Sequence, residues 1–175
     1  MGAEAGERQA AVQPGPRGGA DRPHARQHAQ SAEGGKTLLF GVRACDARSF
    51  LMLDKLFLEG QYQDPYWAEK REKTLIIGIG CNMPLISCFC NRVGGGPFGA
   101  EGMDVHLTDL GEEYLAEALT PGGEEILSLI KESRDAGEAE KKRRADLEAA
   151  CLGRMASGDL LEGVKVRLDA MFEHP

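Results

Sequence analysis

Two short apolar segments of nearly the same sequence do most to limit how this chain can fold. Residues 37–42 read TLLFGV, and 37 positions later residues 74–79 read TLIIGI. Both are rich in β-forming residues and neither alternates with polar residues, which is typical of strands buried on both faces. The segment between them is long enough for a helical crossover, so we predict a parallel β-α-β unit.

The segment between the two predicted strands carries helix signals. Residues 46–58 begin with Asp46 as an expected N-cap, and a second, short helix is expected from Pro65, with Trp67 anchoring it to the core. Apolar side chains recur along one stripe of the first helix, at Phe50, Leu53 and Phe57.

The rest of the chain predicts a hairpin and then helices. Residues 103–110 alternate as a strand does, and residues 114–120 are expected to pair back on them. Three helices are predicted to follow. The first buries Ile126, Leu127 and Ile130, and the second, over residues 138 to 155, is mostly charged. The third begins at Asp159 and is amphipathic, with apolar residues at Leu161, Val164, Leu168 and Met171.

We therefore predict an α/β fold, a small and partly parallel sheet with a β-hairpin, followed by C-terminal helices. Residues 36–120 would form the cysteine-bearing α/β domain and residues 121–175 a helical C-terminal segment. Residues 1–35 lack any recurrent large apolar residue and are rich in Gly, Ala, Gln, Pro and Arg, so they are predicted to be a disordered low-complexity tail.

Length, charge and cysteine count exclude several classes of protein. A chain of 175 residues has room for one domain of ordinary size, and its net charge of −7 argues against a nucleic-acid or anionic-membrane surface. No apolar run approaches the ~18 to 20 residues that cross a bilayer, and the N-terminal residues show no apolar segment behind a basic start. Five cysteines, an odd number, fit reduced thiols, so we expect a cytoplasmic protein.

Four cysteines, Cys45, Cys81, Cys88 and Cys90, form the pattern C-x35-C-x6-C-x-C. Cys45 and Cys81 each follow a predicted parallel strand, so they are expected at one sheet edge, where open α/β sheets place their sites. The pattern lacks the paired knuckles of zinc sites and the C-x-x-C of dithiol sites. An iron–sulfur cluster accepts ligands from separate elements, although thiols that only pack in a core explain the pattern equally well.

The surroundings of these cysteines also allow two interpretations. A helix start beside Cys45 favours a thiolate, and the GGGPFG loop would bring bare backbone to a cofactor through Gly94, Gly95 and Gly96. The same glycines could equally form only a tight turn. Asp46 and Arg48 are expected to form an ion pair that caps the helix.

Two further residues are given no functional role. His106 is interpreted as a half-exposed strand residue, and Cys151, in a helical stretch, as a plain core or surface thiol.

Three segments together resemble one family of redox subunits. They are GVRACDAR at 41–48, LDKLFLEGQYQDPYW at 53–67 and GCNMPLISCFCNRVGGGPFGAEGMDVHLTDLGEEYL at 80–115. In these segments the chain is similar to the β subunit of cytoplasmic sulfhydrogenases and to the A subunit of anaerobic sulfite reductase. It departs from their pattern at Ala44, where the family usually has Pro, and the combination of CFC with GGGPF is specific.

The resemblance implies an iron–sulfur subunit that passes electrons between a flavin- or NAD(P)-binding subunit and a catalytic subunit. It also implies that the four matching cysteines are candidate ligands of a cluster, and we predict one [4Fe-4S] cluster held by Cys45, Cys81, Cys88 and Cys90. We assign no residue the role of catalytic acid, base or nucleophile. The family's ferredoxin-like C-x-x-C-x-x-C runs are missing, so we expect a central piece of a longer protein. The alternative is a structural or docking domain whose thiols pack or bind zinc.

Overall fold

Six strands form one mixed sheet within residues 9–12, 35–155 and 171, the part of the chain that this computed structural model describes. The strand order is β2-β3-β4-β5-β1-β6. The predicted fold class, an α/β fold with a partly parallel sheet and a hairpin, is confirmed. In chain order the elements are β1 (Gln9–Val12), β2 (Thr37–Arg43), α1 (Ala44–Phe57), α2 (Pro65–Glu72), β3 (Thr74–Ile79), a 3-10 turn (Cys90–Arg92), β4 (Val105–Asp109), β5 (Tyr114–Ala118), α3 (Pro121–Ser128), β6 (Ser133–Asp135) and α4 (Glu138–Arg154).

The two similar segments, β2 and β3, pair as parallel strands, and residues at equivalent positions of the two segments lie opposite each other. Thr37 lies opposite Thr74, and Leu39 lies opposite Ile76. The register shifts after Phe40, where Gly41 adopts a φ of 77° that favours glycine and inserts one extra residue into β2. Because β2 and β3 are parallel, their carboxyl ends lie at the same edge of the sheet, as predicted.

The crossover between these strands is held by one tryptophan, which confirms its predicted role. Asp64 caps α2 by accepting hydrogen bonds from two backbone N–H groups at 2.8 and 3.1 Å. The Trp67 ring lies 5.6 Å from the ring of Phe57, and its indole N–H donates to Asp54 at 2.9 Å. The cap predicted at Asp46 is wrong, because α1 begins earlier and leaves Asp46 in its first turn.

Helices pack on both faces of the sheet. The neighbouring residues Ile76 and Ile77 of β3 point to opposite faces, and each belongs to a different core cluster. Ile77 packs with residues of β4, β5 and α3, including the buried Leu127, whereas Ile76 packs with Ala44 and Ala47 of α1. The predicted hairpin is confirmed as the antiparallel pair β4 and β5.

Two strands lie where the sequence predicted none. β1 pairs with β5 on one side and with β6 on the other, so residues 9–12 correct the expectation that all of residues 1–35 are disordered. The buried residues Ala10 and Ala11 fit into the sheet without the large apolar side chains that normally signal a strand. β6 likewise interrupts the C-terminal segment that was predicted to be helical.

The predicted charged helix is confirmed as α4, and its buried residue is Cys151. The predicted final helix from Asp159 lies outside the described residues, apart from Met171. Among the described residues, no helix is both long enough and apolar enough to cross a membrane.

Truncation of Ile76 tests this account of the core. Ile76 is 0% exposed, so Ile76→Ala should lower the free energy of unfolding by about 2 to 5 kcal/mol, through lost burial and the cavity left behind. Phe40→Ala, on the neighbouring strand at 73% exposure, is the control and should change it by less than about 1 kcal/mol. Urea unfolding measures both, and equal losses in the two variants would contradict this core.

Candidate metal centre

The parallel pair brings two distant cysteines to one edge of the sheet. Cys45 is the second residue of α1, the helix that follows β2 directly, and Cys81 lies two residues beyond the end of β3. The Cys81 N–H donates to the carbonyl of Pro97 at 2.8 Å, so the end of β3 is tied to the GGGPFG loop. The predicted placement of Cys45 and Cys81 at a common edge is confirmed.

Cys88 and Cys90 lie in the loop that follows Cys81. The Leu85 N–H donates to the Cys88 sulfur at 3.2 Å, while the Cys88 N–H donates to the Leu85 carbonyl at 3.0 Å. Cys90 begins the 3-10 turn, and its carbonyl accepts hydrogen bonds from the N–H groups of Val93 and Gly95. One backbone N–H is therefore directed at a thiol sulfur, a contact that tunes the potential where such a sulfur is a cluster ligand.

The glycine loop is shaped around Arg48. Arg48 donates to the Val93 carbonyl at 2.7 Å and forms an ion pair with Glu101 at 3.2 Å, so the predicted pair with Asp46 is replaced by contacts to this loop. A Cβ on Gly95 would lie 2.9 Å from the Arg48 guanidinium, and Gly94 has a φ of 74°. The positive φ of Gly94 favours glycine, and a side chain at Gly95 would have to displace the Arg48 guanidinium.

Some backbone groups of the GGGPFG loop already form hydrogen bonds with neighbouring residues. The Gly95 N–H donates to the Cys90 carbonyl at 3.0 Å, so it is engaged within the loop. Nothing in the described residues fills the space around a Cβ at Gly96, which leaves that backbone open to approach. The prediction that Gly94, Gly95 and Gly96 direct N–H groups at a cofactor stays a prediction.

The thiols interact electrostatically across the loop. Desolvation raises the pKa of Cys90, and the negative charges of Cys88 and Cys81 raise it further. Desolvation is also the main cause that raises the pKa of Cys45, followed by the Asp46 carboxylate and, more weakly, by Cys90. These thiols therefore hold their protons unless a positive charge compensates for the burial.

The fifth cysteine lies in the same group, which the sequence analysis did not predict. Cys151 is buried, and its thiol donates to the Cys81 carbonyl at 2.8 Å. Desolvation raises the pKa of Cys151, and the charges of Cys81, Cys90 and Cys88 add to the rise. All five cysteines are free thiols. We call Cys45, Cys81, Cys88, Cys90 and Cys151 the thiol group.

The thiol group is not arranged around a single ion. Within the part of the chain that the structure describes, no set of three or more His, Cys, Asp or Glu side chains can hold one metal ion. A tetrahedral zinc site needs all four sulfurs about 2.3 Å from one centre.

Exposed apolar side chains flank Cys81, Cys88 and Cys90 along the chain. They belong to the loop after β3. We call these residues the apolar rim: Met83, Leu85, Ile86, Phe89 and Val93. Contiguous exposed apolar patches are often sites of interaction with another molecule.

His106 was expected to be half-exposed, and the structure shows it fully buried. It lies on β4 opposite Glu117, with its ring 6.3 Å from the ring of Phe98. Neither ring nitrogen has a hydrogen-bond partner within the described ranges. Desolvation, followed by the positive charge of Arg144, lowers the pKa of His106 to about 4.

The burial of His106 makes stability depend on pH. The unfolded chain protonates His106 near its ordinary pKa of 6.5, while the folded chain resists protonation down to about 4. Its contribution is therefore complete above the unfolded pKa and is lost as the pH falls from 6.5 towards 4. Between pH 7.5 and pH 5 the free energy of unfolding should fall by about 2 kcal/mol more in the wild type than in His106→Gln. Urea unfolding at the two pH values measures this, and equal falls would contradict it.

The chain is similar to a named redox protein over about half of its length. It is 37% identical over 93 residues to sulfhydrogenase 2 subunit beta of Pyrococcus furiosus, a match that covers 53% of this chain and 27% of that relative. The chain thus spans about a quarter of the length of this relative. No protein-family model matches the chain, and no solved structure matches it. The resemblance stated from the sequence motifs is confirmed.

Proposed function

We propose that this chain is an iron–sulfur electron-transfer component, or a fragment of one, of a hydrogenase-like or sulfite-reductase-like redox complex. It would bind a [4Fe-4S] cluster through Cys45, Cys81, Cys88 and Cys90. One observation supports the proposal: the parallel pairing of β2 with β3 brings Cys45 and Cys81 to one sheet edge, and the loop that follows Cys81 carries Cys88 and Cys90, all four as free thiols. The similarity to a sulfhydrogenase subunit beta supports it.

The donors of the thiol group fit a cluster better than they fit one metal ion. They are all sulfur, and they do not converge on a single centre among the described residues. A four-iron cluster is larger than one ion, and its ligands can stand further apart and come from separate elements. When bound, it would supply one-electron transfer.

The chain's own residues would bind and tune such a cofactor. Burial raises the pKa of Cys45 and of Cys90, so binding of iron would have to release their protons by supplying a compensating positive charge. The Leu85 N–H would stabilise the Cys88 thiolate, and Gly94 and Gly96 would offer bare backbone beside it. We assign no residue a catalytic role, since electron transfer requires only position and potential.

The partners would be a flavin- or NAD(P)-binding subunit and a catalytic subunit. The apolar rim beside the thiol group supports this, because an electron partner must dock close to the cofactor. Free thiols fit a reducing compartment, and we propose the cytoplasm. We propose no nucleic-acid or membrane partner.

Anaerobic purification tests the proposed cluster. The wild-type chain should be brown, absorb near about 400 nm and contain about four iron atoms per chain. Cys88→Ser should lose most of this iron because it removes a ligand, while its oxygen can still accept the Leu85 N–H. Ser87→Ala, at the neighbouring exposed position, is the matched control and should keep the iron.

Iron and zinc analysis, together with the absorbance spectrum, distinguishes the iron–sulfur component from the structural or docking domain. Colourless wild-type protein carrying stoichiometric zinc would identify a structural zinc domain. Metal-free wild-type protein that stays folded after anaerobic reconstitution would identify a docking domain with packed thiols.

A further inference from the structure

We propose that the layer between β4 and α4 contains an internal hydration site, in which an ordered, slowly exchanging water molecule bridges the side chains of His106 and Thr108. The ligand class is water. The inference goes beyond the proposed function and does not rest on it, because it uses neither the thiol group nor a cluster. It assigns a role to His106, a buried histidine that electron transfer does not use.

The location of the unpartnered polar atoms is the first argument. Among the described residues, the buried side-chain nitrogens and oxygens without a hydrogen-bond partner belong to Gln9, Asn82, His106, Thr108 and Arg144. These residues lie on β1, on β4, on α4 or at the start of the loop after β3. His106 is 1% exposed and Thr108 is 0% exposed. Each such atom costs free energy unless something supplies its hydrogen bond, so these atoms need a partner within this layer.

The spacing of His106 and Thr108 is the second argument. They are two positions apart on β4, so both side chains leave the sheet on the same face, and their Cα atoms lie about 6.6 Å apart. Their neighbours Val105 and Leu107 belong to the core cluster on the opposite face. A water molecule that forms two hydrogen bonds of about 2.8 Å joins polar atoms about 5 Å apart. One water molecule can therefore bond to both side chains.

The enclosure of this layer is the third argument. The Phe98 ring lies 6.3 Å from the His106 ring. Glu117 of β5 lies opposite His106 and accepts a hydrogen bond from the Gln9 side chain at 2.8 Å. α4 packs against β5, and its Arg144 is close enough for its positive charge to act on His106. The site is thus closed off from bulk solvent, and a water molecule inside it would exchange slowly.

The mixture of donors and acceptors selects water as the ligand. The pKa of His106 is lowered to about 4, mainly by desolvation, so at pH 7 its neutral ring offers one N–H donor and one lone pair. The Thr108 hydroxyl can also donate and accept, while Arg144 Nε donates and Asn82 Oδ1 accepts. An anion would leave the acceptors unmatched, and Arg144 would repel a cation. Water both donates and accepts, so it matches the two kinds of group.

Oxygen-17 relaxation dispersion of the solvent tests the site, because it detects water molecules that stay on the protein for longer than the protein takes to tumble. The full wild-type chain is compared with Thr108→Val, which keeps the shape of the side chain and removes the hydroxyl. Thr108→Ser is the matched control, because it keeps the hydroxyl and removes only a methyl group. Circular dichroism checks that each variant folds.

We expect the dispersion amplitude to fall in Thr108→Val by the contribution of about one water molecule per chain. Thr108→Ser should keep the wild-type amplitude. Water molecules bound elsewhere, and any bound metal, contribute equally to the three proteins and cancel in the differences. The midpoint of urea unfolding should be lower in Thr108→Val than in the wild type, because valine leaves His106 without the bridging water.

An unchanged amplitude in folded Thr108→Val would overturn the inference, and a raised urea midpoint in the same variant would show that the hydroxyl is buried without a partner. An equal fall in Thr108→Ser would also overturn it, because the hydroxyl would then not be the group that holds the water. If Thr108→Val does not fold, His106→Leu removes the other side of the bridge, with His106→Gln as its control and with the same expected and overturning results. None of these results bears on the proposed function, which iron analysis tests separately.

Discussion

The parallel pairing of β2 with β3 is the constraint on which the rest of the structure depends. Hydrogen bonding in the register of Thr37 with Thr74 sends both chains out of the sheet at the same edge. Cys45 and Cys81, far apart in sequence, therefore become neighbours of one loop. An antiparallel pairing of the same two segments would have placed them at opposite ends, about 20 Å apart for strands of this length.

A second layer of contacts turns that edge into a shaped site. Gly80 has no side chain, and a Cβ there would lie 2.7 Å from the Phe98 ring, so this glycine lets the loop fold back onto the sheet. The Cys81 N–H bond to Pro97 fixes the start of the loop near its end. Arg48 fills the space inside the glycine turn. The thiol positions therefore follow from backbone contacts as well as from the cysteines.

Much of this arrangement was predictable because its signals are local. Apolar segments such as TLLFGV predict strands, and Pro65 with Trp67 predicts a helix that packs on the core. The order strand, helix, strand predicts that the two strands are parallel. Features that depend on distant residues carried no such signal. Alanines form β1 because β5 and β6 border them. His106 is buried beside Phe98, and Cys151 is buried where α4 contacts the loop after β3. Periodicity does not encode these contacts.

Two features of the site cost free energy when the chain is alone. The ligand and the partner of the proposed function would each offset one of these costs. Burial raises the pKa of Cys45, Cys90 and Cys151, so thiolates gathered here need a compensating positive charge. The apolar rim costs free energy in water unless another surface covers it. Iron would relieve the first cost and a docked redox partner the second.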